Sequence, residues 1–210
     1  METYYRKRAP VYDRVYGYPE RQQDLRYLQE VIPNRFAGRR VLEIAAGTGY
    51  WTQFIAKQAA SVVATDLLPE TLDRAKERPG LEGVEFRVMD AYRLNDIGGG
   101  YDGVFAGLWL SHVPLQRRGD FLASLQRVVT PGALIVFLDN SRAQCQRLPI
   151  VYRDPQGNTY QDRQLDDGTV HRVMKNFPTA EELIQLTGQF SRGHKFTELE
   201  HFWIFSYFAN

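Results

Sequence analysis

The chain has 210 residues and a nearly balanced charge, with 26 Lys and Arg against 25 Asp and Glu for a formal net charge of +1. That balance gives no electrostatic case for a nucleic-acid partner, which usually meets a basic surplus or patch. No apolar stretch approaches the ~20 residues of a membrane span, the Tyr- and Arg-rich start lacks the apolar core of a signal peptide, and the lone Cys145 cannot form an internal disulfide, so one cytoplasmic domain over residues 1–210 is expected.

In chain order, residues 20–32 read as a helix that ends before Pro33. A buried strand over 40–46, a helix over 48–59 and a strand over 61–66 follow. Pro69 opens a helix running to about residue 78, a favoured place for proline. Short apolar strands are expected at 84–88, 102–106 and 133–138, with a helix over 118–129 between the last two. Apolar strands alternating with helices imply an α/β fold, a mostly parallel Rossmann-like sheet with helices on both faces. Ligands of such sheets lie outside the carboxyl ends of the strands.

After Asp139 the alternation breaks. Residues 140–177 lack helical periodicity and read as a β-hairpin inserted after strand five, with arms at 160–165 and 169–176 around Asp166-Asp167-Gly168. Two registers are open. A two-residue turn at Asp167-Gly168 sends Arg163 and Lys175 to opposite faces. A three-residue loop with a left-handed glycine pairs Leu165 with Thr169 and puts Arg163, His171 and Lys175 on one face. The second is preferred. A helix over 179–187 and an aromatic strand over 202–208, taken as a sheet edge, complete the chain.

The chemistry starts at Val41-Leu42-Glu43-Ile44-Ala45-Ala46-Gly47-Thr48-Gly49, an apolar run closing on a Gly-x-Gly turn. Such a turn lets a ligand approach the main chain closely. Asp66 ends the next apolar run, where an acid can hold both hydroxyls of a ribose. A dinucleotide fingerprint would place a third glycine at Thr52 and an apolar residue at Glu43, so an NAD-dependent oxidoreductase is disfavoured.

The Glu43-x-x-x-Gly47-x-Gly49 stretch resembles motif I of class I S-adenosylmethionine (SAM)-dependent methyltransferases. The resemblance continues in order through Asp66, Met89-Asp90-Ala91, the stretch from Tyr101 to Gly107, and the Thr130-Pro131-Gly132 turn. It implies an antiparallel strand near the end of the sheet, SAM as cofactor and S-adenosylhomocysteine (SAH) as product. It also implies roles. Glu43, Ala45 and Gly47 would serve the methionine end, Asp66 the ribose, Leu67, Asp90 and Ala91 the adenine, and Gly107 the sulfonium. Further segments resemble the phosphonate O-methyltransferases of dehydrophos biosynthesis, among them Tyr4-Tyr5-Arg6, Trp109-Leu110-Ser111-His112-Val113-Pro114 and Arg172-Val173-Met174-Lys175-Asn176-Phe177. That resemblance implies an anionic acceptor, such as a phosphonate or carboxylate, contacted by Tyr18, Arg163 and Lys175. Residues 140–159 depart from it.

His112 follows strand four and is the candidate catalytic residue, as orienting group or general base. Trp109 and His171 join the expected acceptor-binding set. Tyr5, Tyr12 and Tyr16 are spaced to share roughly one helical face, so residues 1–35 are expected to form a helical lid, with Tyr5 over the cofactor. Asp139-Asn140 resembles the metal pair of catechol-type methyltransferases, but Gly107-Leu108-Trp109 stands where those enzymes need another acid, so no metal is expected. The expected activity is methylation of a small natural-product acceptor, most simply at oxygen, by a monomer or homodimer. N-methylation with His112 as base, and a non-catalytic SAM-binding protein, stay open.

Overall fold

In a computed structural model, residues 2–210 are described, without the side chains of Glu2 and Asn95. Ten strands occur in order: β1 (Arg40–Ile44), β2 (Ser61–Asp66), β3 (Glu85–Val88), β4 (Tyr101–Gly107), β5 (Val129–Asn140), β6 (Tyr152–Arg153), β7 (Thr159–Gln164), β8 (Val170–Met174), β9 (Ser191–Glu198) and β10 (Phe202–Ala209). The main sheet has the order β3-β2-β1-β4-β5-β10-β9. β10 runs antiparallel to both neighbours, while the pairs from β3 to β5 are parallel.

Period-two alternation explains why this sheet is covered on both faces. Leu42, Ile44, Val104 and Ala106 point into one core, which α5 (Arg118–Gln126) closes with Phe121, Leu122 and Leu125. Val41 and Phe105 point into the other, closed by Leu25, Leu28 and Ile32 of α2 (Gln22–Arg35). No helix among the described residues is long and apolar enough to cross a membrane.

Four expectations are corrected. α2 does not stop before Pro33 but carries it to Arg35. A proline in the last turn forfeits only one ladder bond, and staying helical keeps Phe36, fully buried, on the face of Ile32. The helix expected over 48–59 shrinks to α3 (Thr52–Ile55), because Gly47 (φ 57°) and Gly49 (φ 75°) take left-handed angles that no α-helix contains. The aromatic strand β10 is internal, with seven of its eight residues buried, and β9 is the edge. Finally, the insert is a three-stranded sheet, β6-β7-β8, rather than a hairpin alone.

The hairpin register matches the preferred one. Leu165 N donates to Thr169 O at 2.9 Å, Gly168 has φ 81°, and Arg163 stands opposite His171. Lys175 N donates to Thr159 O at 2.7 Å, which extends the same pairing and puts Lys175 on the face of Arg163. Helix α7 (Ala180–Thr187) starts with a capping box between Thr179 and Glu182.

Candidate functional site

The carboxyl ends of β1, β2, β3, β4 and β5 lie along one margin of the sheet. Ile44 is level with Thr65 and Ala106, Asp66 with Val88, and Gly107 with Leu138. Asp66 ties the first tips together. Its carboxylate accepts from Gly47 N and Leu68 N, both at 2.9 Å, and its carbonyl accepts from Met89 N at 2.8 Å. Burial raises the Asp66 pKa against these hydrogen bonds. Asp90 caps the next turn by accepting from Tyr92 N at 2.9 Å; Ala91 is buried and Leu67 is exposed.

The β1 loop is shaped for a ligand. Ala45 (φ 54°) and Gly47 are both left-handed, and a Cβ on Gly47 would meet nothing within 4 Å. A Cβ on Gly49 would instead stand 2.9 Å from the Ala75 Cβ, so that glycine serves packing against α4 (Pro69–Lys76). On β4, a Cβ at Gly107 would crowd Phe105 and Trp51 at 3.0–3.1 Å. Glu43 is 2% exposed, and its Oε2 has no hydrogen-bond partner among the described residues. Burial pushes its carboxyl up to about 8. An orphaned carboxyl oxygen on the strand that leads into an open glycine is what a cationic, hydrogen-bonding ligand would complete.

Towards β4 and β5 the margin opens into a cavity of about 570 Å³ under the insert and the N-terminal arm. The arm consists of α1 (Glu2–Arg8) and a 3₁₀ helix over Ala9–Tyr16. It is tied to the hairpin tip by Lys7–Asp167 (3.1 Å) and Arg14–Asp166 (2.7 Å). Asp13 ties it to the β1 loop, accepting from Thr48 Oγ1 at 2.6 Å and from Arg78 Nη2. Tyr16 stacks on Tyr50 with centroids 3.5 Å apart, and Tyr5, Tyr12 and Tyr16 form a ladder at 6.3 and 6.4 Å.

His112 is 5% exposed. Its Nδ1 lies 2.6 Å from Met174 O and its Nε2 2.9 Å from the Tyr5 hydroxyl. A carbonyl only accepts, so Nδ1 carries the proton and Nε2 accepts from Tyr5. Burial, with Lys175 and Arg163 nearby, holds the imidazole well below its usual pKa, hence neutral. The Tyr5 oxygen in turn accepts from Arg163 Nη1 at 3.4 Å. Arg163 is 6% exposed; its Nη2 donates to Gln161 Oε1 at 3.1 Å, and its Nε has no partner among the described residues.

Lys175 also lines the cavity, but its ammonium is engaged. Nζ donates to Asp139 Oδ1 at 2.6 Å and to Asn140 Oδ1 at 3.0 Å. Burial lowers its pKa to about 8, with Asp139 pulling the other way. The Asp139-Asn140 pair thus holds an ammonium, and no metal-binding cluster occurs among the described residues. Of the other cationic side chains lining the cavity, Lys7 and Arg14 face acids, whereas Arg8, Arg21, Arg147 and Arg163 have no carboxylate partner among the described residues.

The structure brings Tyr5, Tyr18, His112, Arg163 and Lys175 around one cavity. Trp109 is not among them. Leu108 (φ 56°) turns the chain so that the indole packs between Tyr92 (6.1 Å) and Phe121 (6.4 Å). His171 shares the face of Arg163 but sits outside the cavity, with Thr169 at 3.1 Å and the Tyr4 ring at 5.7 Å. Gln161, which holds Arg163, was missed, although it lies two residues away on the same strand face. Asp13, though part of a segment that carries the resemblance, and Arg78 are not among the site residues the sequence suggests.

Residues 41–132 match a family model described as a methyltransferase domain. The demethylmenaquinone methyltransferase of Clavibacter sepedonicus is 37% identical over 106 residues, covering 50% of this chain and 42% of that protein. The malonyl-[acyl-carrier protein] O-methyltransferase of Halorhodospira halophila is 33% identical over 118 residues, 53% of this chain and 38% of that protein. The chain therefore spans less than half the length of these curated relatives. Among solved structures, the DhpI–SAH complex matches with TM-score 0.80 and 30% identity over 99% of this chain and 94% of that one. The DhpI–SAM–HEP complex matches at TM-score 0.77 and 31% identity, over 98% and 94%.

Proposed function

This chain belongs to the class I SAM-dependent methyltransferases, and on that premise we propose that it methylates an oxygen of a small acceptor bearing an anionic group, a phosphonate or a carboxylate. The observation that carries the reading is Arg163, a buried guanidinium whose Nε has no partner and which has no acid beside it among the described residues. An unpaired buried cation is costly, and an arriving oxyanion offsets that cost with charge-assisted hydrogen bonds. Likeness to DhpI, solved as a complex with SAM and HEP, supports a small molecule bound beside SAM.

SAM, when bound, supplies the electrophilic methyl group. On this reading Glu43 and the Gly47 loop would hold its methionine end, Asp66 its ribose, and Leu67, Asp90 and Ala91 its adenine, and Gly107 would serve the sulfonium. The open side of Gly47 and the orphaned Glu43 Oε2 fit that group. Arg163 binds the acceptor's anion, and Tyr5 orients Arg163 while donating to His112. An acceptor that is already an anion has no proton to lose, so His112 is a positioning residue, holding Tyr5 through Nε2. The protein's contribution is alignment and exclusion of water under the arm and insert. An amine acceptor is disfavoured, because the guanidinium of Arg163 would repel an ammonium.

An acceptor screen with isotopically labelled SAM, weighted toward phosphonates, carboxylates and phenols, tests the reading. Arg163→Ala should raise the acceptor KM by at least about tenfold, as expected for losing a hydrogen-bonded charge, with SAM affinity nearly intact. Unchanged acceptor kinetics in that variant, or labelled product only with amines, would overturn it.

A further inference from the structure

We propose that Arg21, Arg147 and Asn140 form a second oxyanion site around Tyr18 in the same cavity, so that the natural acceptor is a bifunctional acid with a second anionic group, a carboxylate in the simplest case. The inference rests on the reading that Arg163 holds the reacting acid.

Arg21 lies at the foot of α2 and is 8% exposed. Its Nη1 donates to Val15 O at 3.3 Å, and its Nε has no partner among the described residues. Glu20, its neighbour in sequence, is exposed and makes no ion pair with it. The guanidinium rests instead on aromatic rings, 5.1 Å from the Tyr18 centroid and 5.7 Å from that of Phe202. Burial lowers its pKa; Tyr18 and the nearby charge of Glu20 pull the other way, and Arg147 adds to the lowering.

Arg147, from α6 (Gln144–Arg147), stacks on the same ring at 3.9 Å. The two guanidiniums sharing this ring repel each other, and an oxyanion held near them relieves that repulsion while using their planar donors. Asn140 is 4% exposed and lines the cavity, and its Nδ2 is a further buried donor without a partner among the described residues.

Different residues hold the two guanidiniums. Arg163 is held by Tyr5 and Gln161, Arg21 by Val15, Tyr18 and Phe202, and the two sets share no residue. Lys175, already paired with Asp139, feels both positive charges. A cavity of about 570 Å³ falls within the ~300–1,000 Å³ of sites that enclose whole small molecules. A lone acid group would leave much of it unfilled.

The test is calorimetry on the SAH-loaded protein. The probes are alkylphosphonates and ω-carboxyalkylphosphonates of matched length, with two to six methylenes. At its best length, the carboxylated probe should bind at least about tenfold more tightly than its partner, the ratio one charge-assisted hydrogen bond sustains. Arg147→Gln should close most of that gap; Arg147 is exposed, so its replacement does not threaten the fold. Equal binding of matched probes at every length, or a gap that survives Arg147→Gln, overturns the second site. Arg163→Gln separates the two readings, because it should weaken both members of each pair. Plain alkylphosphonates that bind Arg163→Gln as tightly as wild type overturn the Arg163 reading, whatever happens at Arg147. Failure of both series to bind overturns both.

Discussion

Lys175 donates to Asp139 at 2.6 Å where the Lys side chain is 1% exposed and the Asp side chain not at all. The contact joins the insert to the tip of β5, and it explains why a cavity rich in cations keeps a stable wall. Asp139 also accepts from Ser111 N at 3.0 Å and Asn140 N at 2.8 Å; burial pushes its carboxyl up, but Lys175 and the surrounding hydrogen bonds and charges together hold it below the usual range.

Removing one partner leaves the other charge buried alone. Lys175→Met should therefore destabilise the fold by about 3–5 kcal/mol. Asp139→Asn in the same chain should recover part of that loss, because Asn keeps an acceptor for Ser111 N without a charge. Urea denaturation midpoints check both. A Lys175→Met midpoint equal to wild type would show that the pair does not anchor the insert.

Glu43 gives a pH prediction with a definite sign. Its folded carboxyl titrates at about 8, well above its ordinary value of 4.5. The folded state thus binds a proton that the unfolded chain has already lost, and ligand-free stability should fall as pH rises from about 4.5 to 8. A cofactor ammonium beside Glu43 would favour the carboxylate, so SAM binding should release a proton below pH 8. SAM affinity should rise with pH, by up to about tenfold per unit for one proton released, and level off above 8. Glu43→Gln should abolish the slope; an affinity already flat from pH 6 to 8 in wild type would place the proton elsewhere.

The two loop glycines should fail differently. Gly49→Ala forces a Cβ to 2.9 Å from Ala75 at φ 75°, so it should lower the melting temperature and leave SAM affinity little changed in the folded fraction. Gly47→Ala adds a Cβ into open space, where the strain is about 1 kcal/mol, but the methyl occupies the ligand's approach. It should weaken SAM binding at least about tenfold, equivalent to ~1.4 kcal/mol of lost contact. Thermal melts run beside SAM titrations separate the two, and a Gly47→Ala protein with wild-type affinity would remove that loop from the cofactor site.

Much of this was legible from residue order because burial on both faces makes β1, β2, β4 and β5 continuous apolar runs. β9 was not. As the edge strand it exposes Arg192, Gly193 and Lys195, and its polarity reads as loop. The face shared by Arg163 and Lys175 followed from parity plus one left-handed glycine. The partner of Lys175 did not, since Asp139 lies 36 residues away and meets it only once the insert folds back. Arg21 and Arg147 escaped notice for the same reason: what joins them is the Tyr18 ring, a contact that neither helix pattern encodes.

The Tyr5–His112 contact leads to the last prediction. With Nδ1–H donated to Met174 O and the imidazole held well below 6.5, His112 stays neutral across the working range. On the positioning reading, kcat should be flat from about pH 6 to 8 with a carboxylate acceptor, which is ionised throughout that range, with no inflection near the ordinary 6.5 of histidine. Because the folded pKa is depressed, acidification below about 6.5 protonates the unfolded chain first and should cost stability there. Tyr5→Phe removes the hydroxyl that joins His112 to Arg163 and should raise the acceptor KM several-fold, with the pH profile still flat. An inflection near 6.5 in kcat, lost in His112→Gln, would instead make His112 a titrating base and return the acceptor to a protonated hydroxyl or amine.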